Sequence, residues 1–112
     1  MMEPHRRENG ATAVFTATSD AEEIRRCLGP FLRRFNARLI VFGSRARGEA
    51  HRASDLDLAL RADRPIPAWA LAEMRECLEN SNLPFRIDLV DYARAPAELK
   101  RAIDEEGIPW AL

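Results

Sequence analysis

Residues 39–60 read LIVFGSRARGEAHRASDLDLAL. An apolar run, Leu39 to Phe42, leads straight into Gly43-Ser44, and ten residues after Ser44 comes Asp55-Leu56-Asp57 at the head of a second apolar run. This order predicts a strand, a turn opening a short basic helix, and a second strand. Gly43 has no Cβ, so the backbone can leave the strand sharply and approach a ligand, while Ser44 offers a hydroxyl and a helix cap. The unpaired N–H groups of that helix start, with Arg45 and Arg47 close by, make an anion site suited to phosphate. Period-two alternation places Asp55, Asp57 and Ala59 on one face of the second strand and Leu56, Leu58 and Leu60 on the other. Side-by-side carboxylates repel, and hard oxygen donors of this kind suit Mg²⁺, which prefers one or two carboxylates plus waters and substrate phosphates. The plainer alternatives are an ordinary strand-to-helix turn and a solvent-facing strand.

Working outward, Ser19-Asp20-Ala21-Glu22 has the form of a capping box, and Ile24, Cys27, Leu28, Phe31, Leu32 and Phe35 recur at helical spacing. Gly29-Pro30 inside that helix predicts a kink or a break. Arg25, Arg26, Arg33, Arg34 and Arg38 lie largely off the apolar stripe and read as a solvated face. Beyond the central stretch, Pro67 suits the first turn of a helix that reaches about Asn80, with Leu71, Met74 and Leu78 inward. Trp69 reads as core rather than as a ring stacked on a base, and His51 as exposed. Phe85 to Asp91 forms a third strand. Its alternation turns Asp88 away from the apolar side, making it a third candidate carboxylate, and leaves Asp91 to cap the following turn. Ala95-Pro96-Ala97-Glu98 starts a last helix, with Leu99, Ala102 and Ile103 inward and Gly107 as its terminator. The tail, with Ile108, Trp110 and Leu112, is apolar: it either adds to the core or waits for a partner, in which case Trp110 is a candidate anchor.

The chain has 112 residues, which bounds it to one domain: an arm over 1–18, with Ala13 to Thr18 able to add an edge strand, then a single domain over 19–112. Seventeen basic residues against eighteen acidic ones give no overall field for gripping nucleic acid, so no direct nucleic-acid partner is expected. Neither a membrane-length apolar run nor a signal peptide is apparent, which predicts a cytoplasmic protein. Cys27 and Cys77, fifty positions apart and without a CxxC pattern, are expected to be buried reduced thiols. Strands alternating with helices predict an α/β fold, a small mixed sheet with helices packed on one face.

Gly43-Ser44, ten residues, Asp55-x-Asp57 resembles the signature of the nucleotidyltransferase superfamily that includes DNA polymerase beta. The form GSRARGEA…SDLDLAL is most similar to the minimal nucleotidyltransferases, small antitoxin-type proteins paired with HEPN-domain partners. The similarity is at motif level over 39–60 and looser through the strand at 85–91 to the IDEEG tail. It implies ATP as nucleotide donor and a site of Asp55, Asp57 and Asp88 holding two Mg²⁺ ions about 3.5–4 Å apart. Gly43 and Ser44 would hold the β- and γ-phosphates, with Arg45 and Arg47 offsetting charge. The implied reaction is transfer of AMP to a tyrosine of a HEPN ribonuclease toxin. Two other readings stay open: a stand-alone adenylyltransferase of a small hydroxylated molecule, and a non-catalytic module that neutralises its partner by contact.

Overall fold

The computed structural model describes residues 15–51 and 53–112. The elements in chain order are α1 (Thr18–Arg34), β1 (Arg38–Phe42), β2 (Leu56–Arg61), α2 (Ala68–Glu79), β3 (Ile87–Asp91), α3 (Ala97–Glu106) and β4 (Ile108–Pro109). The strands form one mixed sheet in the order β3-β2-β1-β4. β2 runs antiparallel to β1 and parallel to β3, and β4 returns antiparallel along the far edge of β1.

Alternation sorts the sheet's two faces as the sequence implies. Leu39, Val41, Leu56, Leu58, Leu60 and Leu89 point to one side and are buried with Ile24, Leu28, Leu71 and Met74 of α1 and α2. Ala59 and Phe42 point to the other side and are buried with Ile103 of α3, while Ile40, Val90 and Leu99 pack around them. Helices therefore do not all lie on one face. α1 and α2 cover the first, and α3 covers part of the second, because Leu99 and Ile103 share the inward stripe of a short amphipathic helix. On that second face, at the end of the sheet where β2 and β3 begin, Asp57 is half-buried and Asp88 exposed.

Several local expectations change. α1 begins at Thr18 with Ala17 as its cap and no side-chain cap bond, so the predicted capping box does not form. Ser19 already lies inside the helix, whose entry is set by Phe15, buried in the core against Trp110. The rest of the amino-terminal arm, residues 1–14, lies outside the described residues, as does Arg52. α1 also runs unbroken through Pro30. Trp69 is 47% exposed rather than core. It sits edge-on to Phe31 and Phe35, with the Arg34 guanidinium 5.2 Å from its ring. Cys27 and Cys77 are joined as a disulfide, with Cα atoms 5.6 Å apart, where reduced thiols were expected. Each was correctly placed on its helix's inner side, but α1 and α2 lie on the same face of the sheet, and this brings the two together.

The tail takes the first of its two expected courses, and only the Trp110 anchor is a correction. Instead of waiting for a partner, it folds back: Ile108 and Pro109 pair with Val41 and Ile40, and the Trp110 N–H bonds to the Leu39 carbonyl. Trp110 is 3% exposed and belongs to the main core, so it is no interface anchor. Among the described residues its buried indole N–H has no hydrogen-bond partner. A buried unpaired donor costs about 1–3 kcal/mol, which offsets part of what the ring's burial contributes. Trp110→Phe removes the donor and keeps most of the apolar volume, so urea unfolding is expected to show a loss of no more than about 1 kcal/mol. A loss several times larger would mean that the N–H is satisfied in solution.

Candidate active site

β1 ends at Phe42, and Gly43 to Arg45 form a single 3-10 turn rather than the helix expected from the sequence. Gly43 has φ +77°, a backbone conformation that favours glycine. A Cβ at this position would stand 2.2 Å from Asp57 Oδ2. The missing side chain thus creates the space that the Asp57 carboxylate occupies, since Phe42 and Asp57 are register partners across β1 and β2. Turn and carboxylate are in direct contact.

Asp57 is in turn the register partner of Asp88 across the parallel β2–β3 pair. Burial, then the charges of Asp88 and Asp55, push the Asp57 carboxyl above its ordinary range; Arg47 pulls it down, and Glu106 pushes it slightly further up. Asp55 lies one residue ahead of β2, exposed, and also lines a groove of ≈ 530 Å³ with Phe85, Arg86 and Leu78. The structure therefore sets Asp57 and Asp88 side by side, with Asp55 at the margin but within electrostatic reach. Among the described residues no group of three or more His, Cys, Asp or Glu side chains stands ready to hold a metal ion. The donor chemistry still fits a hard cation: two carboxylates on adjoining strands, one of them partly desolvated and repelled by its neighbours, are relieved by positive charge.

The two arginines expected at phosphate have different surroundings. Arg45 is buried, and its guanidinium donates to the carbonyls of Phe15 (2.6 Å) and Ser54 (2.6 and 3.2 Å) while lying 4.4 Å from the Phe85 ring centre. It ties the start of α1 to the loop before β2. This is a structural position, and phosphate contact from it would require giving up those bonds. Arg47 is exposed at the surface beside Asp57 and is bonded to Glu49 Oε1 at 2.9 Å and Glu106 Oε1 at 3.0 Å. The Ser44 carbonyl accepts from Glu49 N–H, and Arg47 N–H bonds to the Gly43 carbonyl, which closes the turn. His51 is exposed, as read from the sequence.

Asp91 also fulfils its expected role. It is 4% exposed, accepts from Ala93 N–H as a cap, and further accepts from Ile66 N–H and from Arg94. It fixes the chain entering α2 against the end of β3. Glu106 was missed as a neighbour of the site. Its signal was present in the run Asp104-Glu105-Glu106, since acidic residues in the last turn of a helix oppose the helix dipole and need another reason to be there.

The family described as Polymerase beta, Nucleotidyltransferase matches residues 35–109, from just before β1 to the end of β4. The chain belongs to that family. A Haemophilus influenzae protein named probable protein adenylyltransferase MntA is 39% identical to the chain over 63 residues. The match covers 56% of this chain and 55% of that protein, so the chain spans about half the length of the curated relative. A crystal structure of a toxin–antitoxin with AMP-PNP superposes with a TM-score of 0.60 at 27% identity, covering 79% of this chain and 73% of the other. A mutant MntA–HpeT toxin–antitoxin complex does so with a TM-score of 0.63 at 25% identity, covering 81% and 71%. No helix among the described residues is long and apolar enough to cross a membrane.

Proposed function

We propose that this nucleotidyltransferase transfers AMP from ATP to a tyrosine hydroxyl of a HEPN-type toxin and thereby acts as its antitoxin. The observation that carries the reading is the pairing of Asp57 with Asp88 beneath the Gly43 turn, within a sequence that matches the family over that segment. The relative named as an adenylyltransferase and the solved toxin–antitoxin complexes support the choice of nucleotide and partner.

In the reaction the hydroxyl oxygen bonds to the α-phosphorus of ATP, the α–β anhydride bond breaks and pyrophosphate leaves, while the hydroxyl proton passes to a site carboxylate or to water. Asp55, Asp57 and Asp88 would hold Mg²⁺, which makes the acceptor hydroxyl easier to deprotonate and offsets charge on the leaving group. Gly43 lets the turn approach the β- and γ-phosphates closely, Ser44 offers a hydroxyl, and Arg47 supplies a cation at the same edge. With Asp88 exposed, the carboxylate pair is open to a protein acceptor. A cytoplasmic setting goes with this reading, and its reducing conditions would open the Cys27–Cys77 bridge that this structure holds closed.

The test is to incubate the protein with ATP labelled at the α-phosphate, Mg²⁺ and the purified product of the neighbouring reading frame. Label on a tyrosine of that protein supports the proposal. Label on a small molecule from a source-cell extract would replace it with the stand-alone transferase, and no label anywhere would leave the non-catalytic binder.

A further inference from the structure

Resting on the functional reading above, we infer that Glu106 is a positioning residue: it holds the Arg47 guanidinium at the edge of the carboxylate pair, ready for the phosphates of the nucleotide. Three observations lead there. Arg47 is gripped at two points, Nε by Glu49 and Nη1 by Glu106, one from the loop after the turn and the other from the end of α3. A guanidinium has five N–H donors, so this clamp fixes its plane and leaves donors for a ligand. Arg47 also begins one backbone bond away from Gly43, at Gly43 O, so fixing its side chain fixes a cation relative to the turn.

The second observation is how firmly Glu106 itself is placed. The next residue, Gly107, is wedged so tightly that a Cβ there would lie 2.4 Å from the Ile103 carbonyl oxygen and 2.6 Å from Ile40 Cγ2. Immediately afterwards Ile108 and Pro109 pair with β1, the strand that leads into Gly43. The end of α3 is thereby locked to the strand carrying the turn, and Glu106 moves with the site and not with the surface.

The third is the cost of the arrangement. Glu106 is the last residue of α3, where a negative charge opposes the helix dipole, and the last turn holds no basic residue. Asp104, in the same turn, is engaged away from the site by the Tyr92 hydroxyl and Arg61. Among the described residues, Glu106 is the member of that turn bonded to Arg47, the cation whose charge acts on Asp57. An exposed ion pair adds little stability, so its use lies in orientation.

The experiment is steady-state AMP transfer, with ATP binding by calorimetry, on the full chain and its variants. Glu106→Ala is expected to raise KM and Kd for ATP about fivefold and to leave kcat within about twofold, the scale of one partly exposed charge contact. Glu106→Gln keeps an acceptor oxygen and is expected to recover most of that loss. Arg47→Ala should cost at least as much as Glu106→Ala, and adding Glu106→Ala to it should cost nothing more. Unchanged ATP affinity in Glu106→Ala, or losses in the double variant that simply add, overturns the inference while leaving the functional reading standing. A wild-type protein that neither binds ATP nor transfers AMP overturns both.

Discussion

Gly43→Val is expected to abolish AMP transfer and to lower stability by about 2–4 kcal/mol, the combined scale of a left-handed conformation forced on a bulky residue and of a steric intrusion into a filled site. Both causes are local. The backbone at Gly43 has φ +77°, and a new Cβ would stand 2.2 Å from Asp57 Oδ2, a separation that requires either the turn or the carboxylate to move. Because Asp57 is the residue displaced, loss of stability and loss of function have one origin. Gly43→Ala carries the same Cβ and should show the same loss of transfer with a smaller loss of stability. Urea unfolding and the labelled-ATP assay read the two effects separately. A Gly43→Val protein with wild-type stability would show that the turn relaxes freely and that glycine is not needed there.

Asp57→Asn should behave in the opposite way, with transfer falling about a thousandfold or more, equivalent to about 4 kcal/mol of transition-state stabilisation, while the fold gains at neutral pH. The sign follows from the proton. Burial, Asp88 and Asp55 raise the folded-state pKa of Asp57 above the ordinary 3.8, so the native protein holds this proton more tightly than the unfolded chain does. The associated stability is present below the ordinary value and is lost as pH rises through the folded-state value, leaving a net cost above it. Asparagine does not titrate, so the stability gap between variant and wild type should widen in the variant's favour from about pH 4 upward. Unfolding curves at pH 4 and pH 7 without metal check this. A variant less stable than wild type at pH 7 would mean that Asp57 holds the fold together, not a ligand.

Strand alternation identified the leucine face of β2 and the side on which Asp57 and Asp88 lie, because a period of two leaves no freedom once a strand is recognised, whereas the meeting of the two on neighbouring strands was implied only by the family resemblance. What the sequence did not disclose depends on which elements meet in space. The burial of Arg45 depends on Phe15 lying near Ser54 across the fold, although the two are far apart in the chain. The return of Trp110 depends on a free edge of β1 being available to Ile108 and Pro109. Glu106 reaches the site only because α3 crosses the second face of the sheet, and the disulfide forms only because α1 and α2 share the first. The turn itself was located correctly, but its glycine was assigned to approach by a ligand, whereas the nearest demand on it comes from the protein's own Asp57.

The bond between Cys27 and Cys77 closes a covalent ring that contains β1, the Gly43 turn, the connecting loop and β2. Arg47, Gly48, Glu49 and His51 in that loop are exposed, the condition that invites a protease. A single cut there would leave two peptides still joined through α1 and α2, so the nicked chain would migrate as one species until a reductant separated it. While the bridge is intact, a broken backbone at the mouth of the site does not by itself release either half of the sheet.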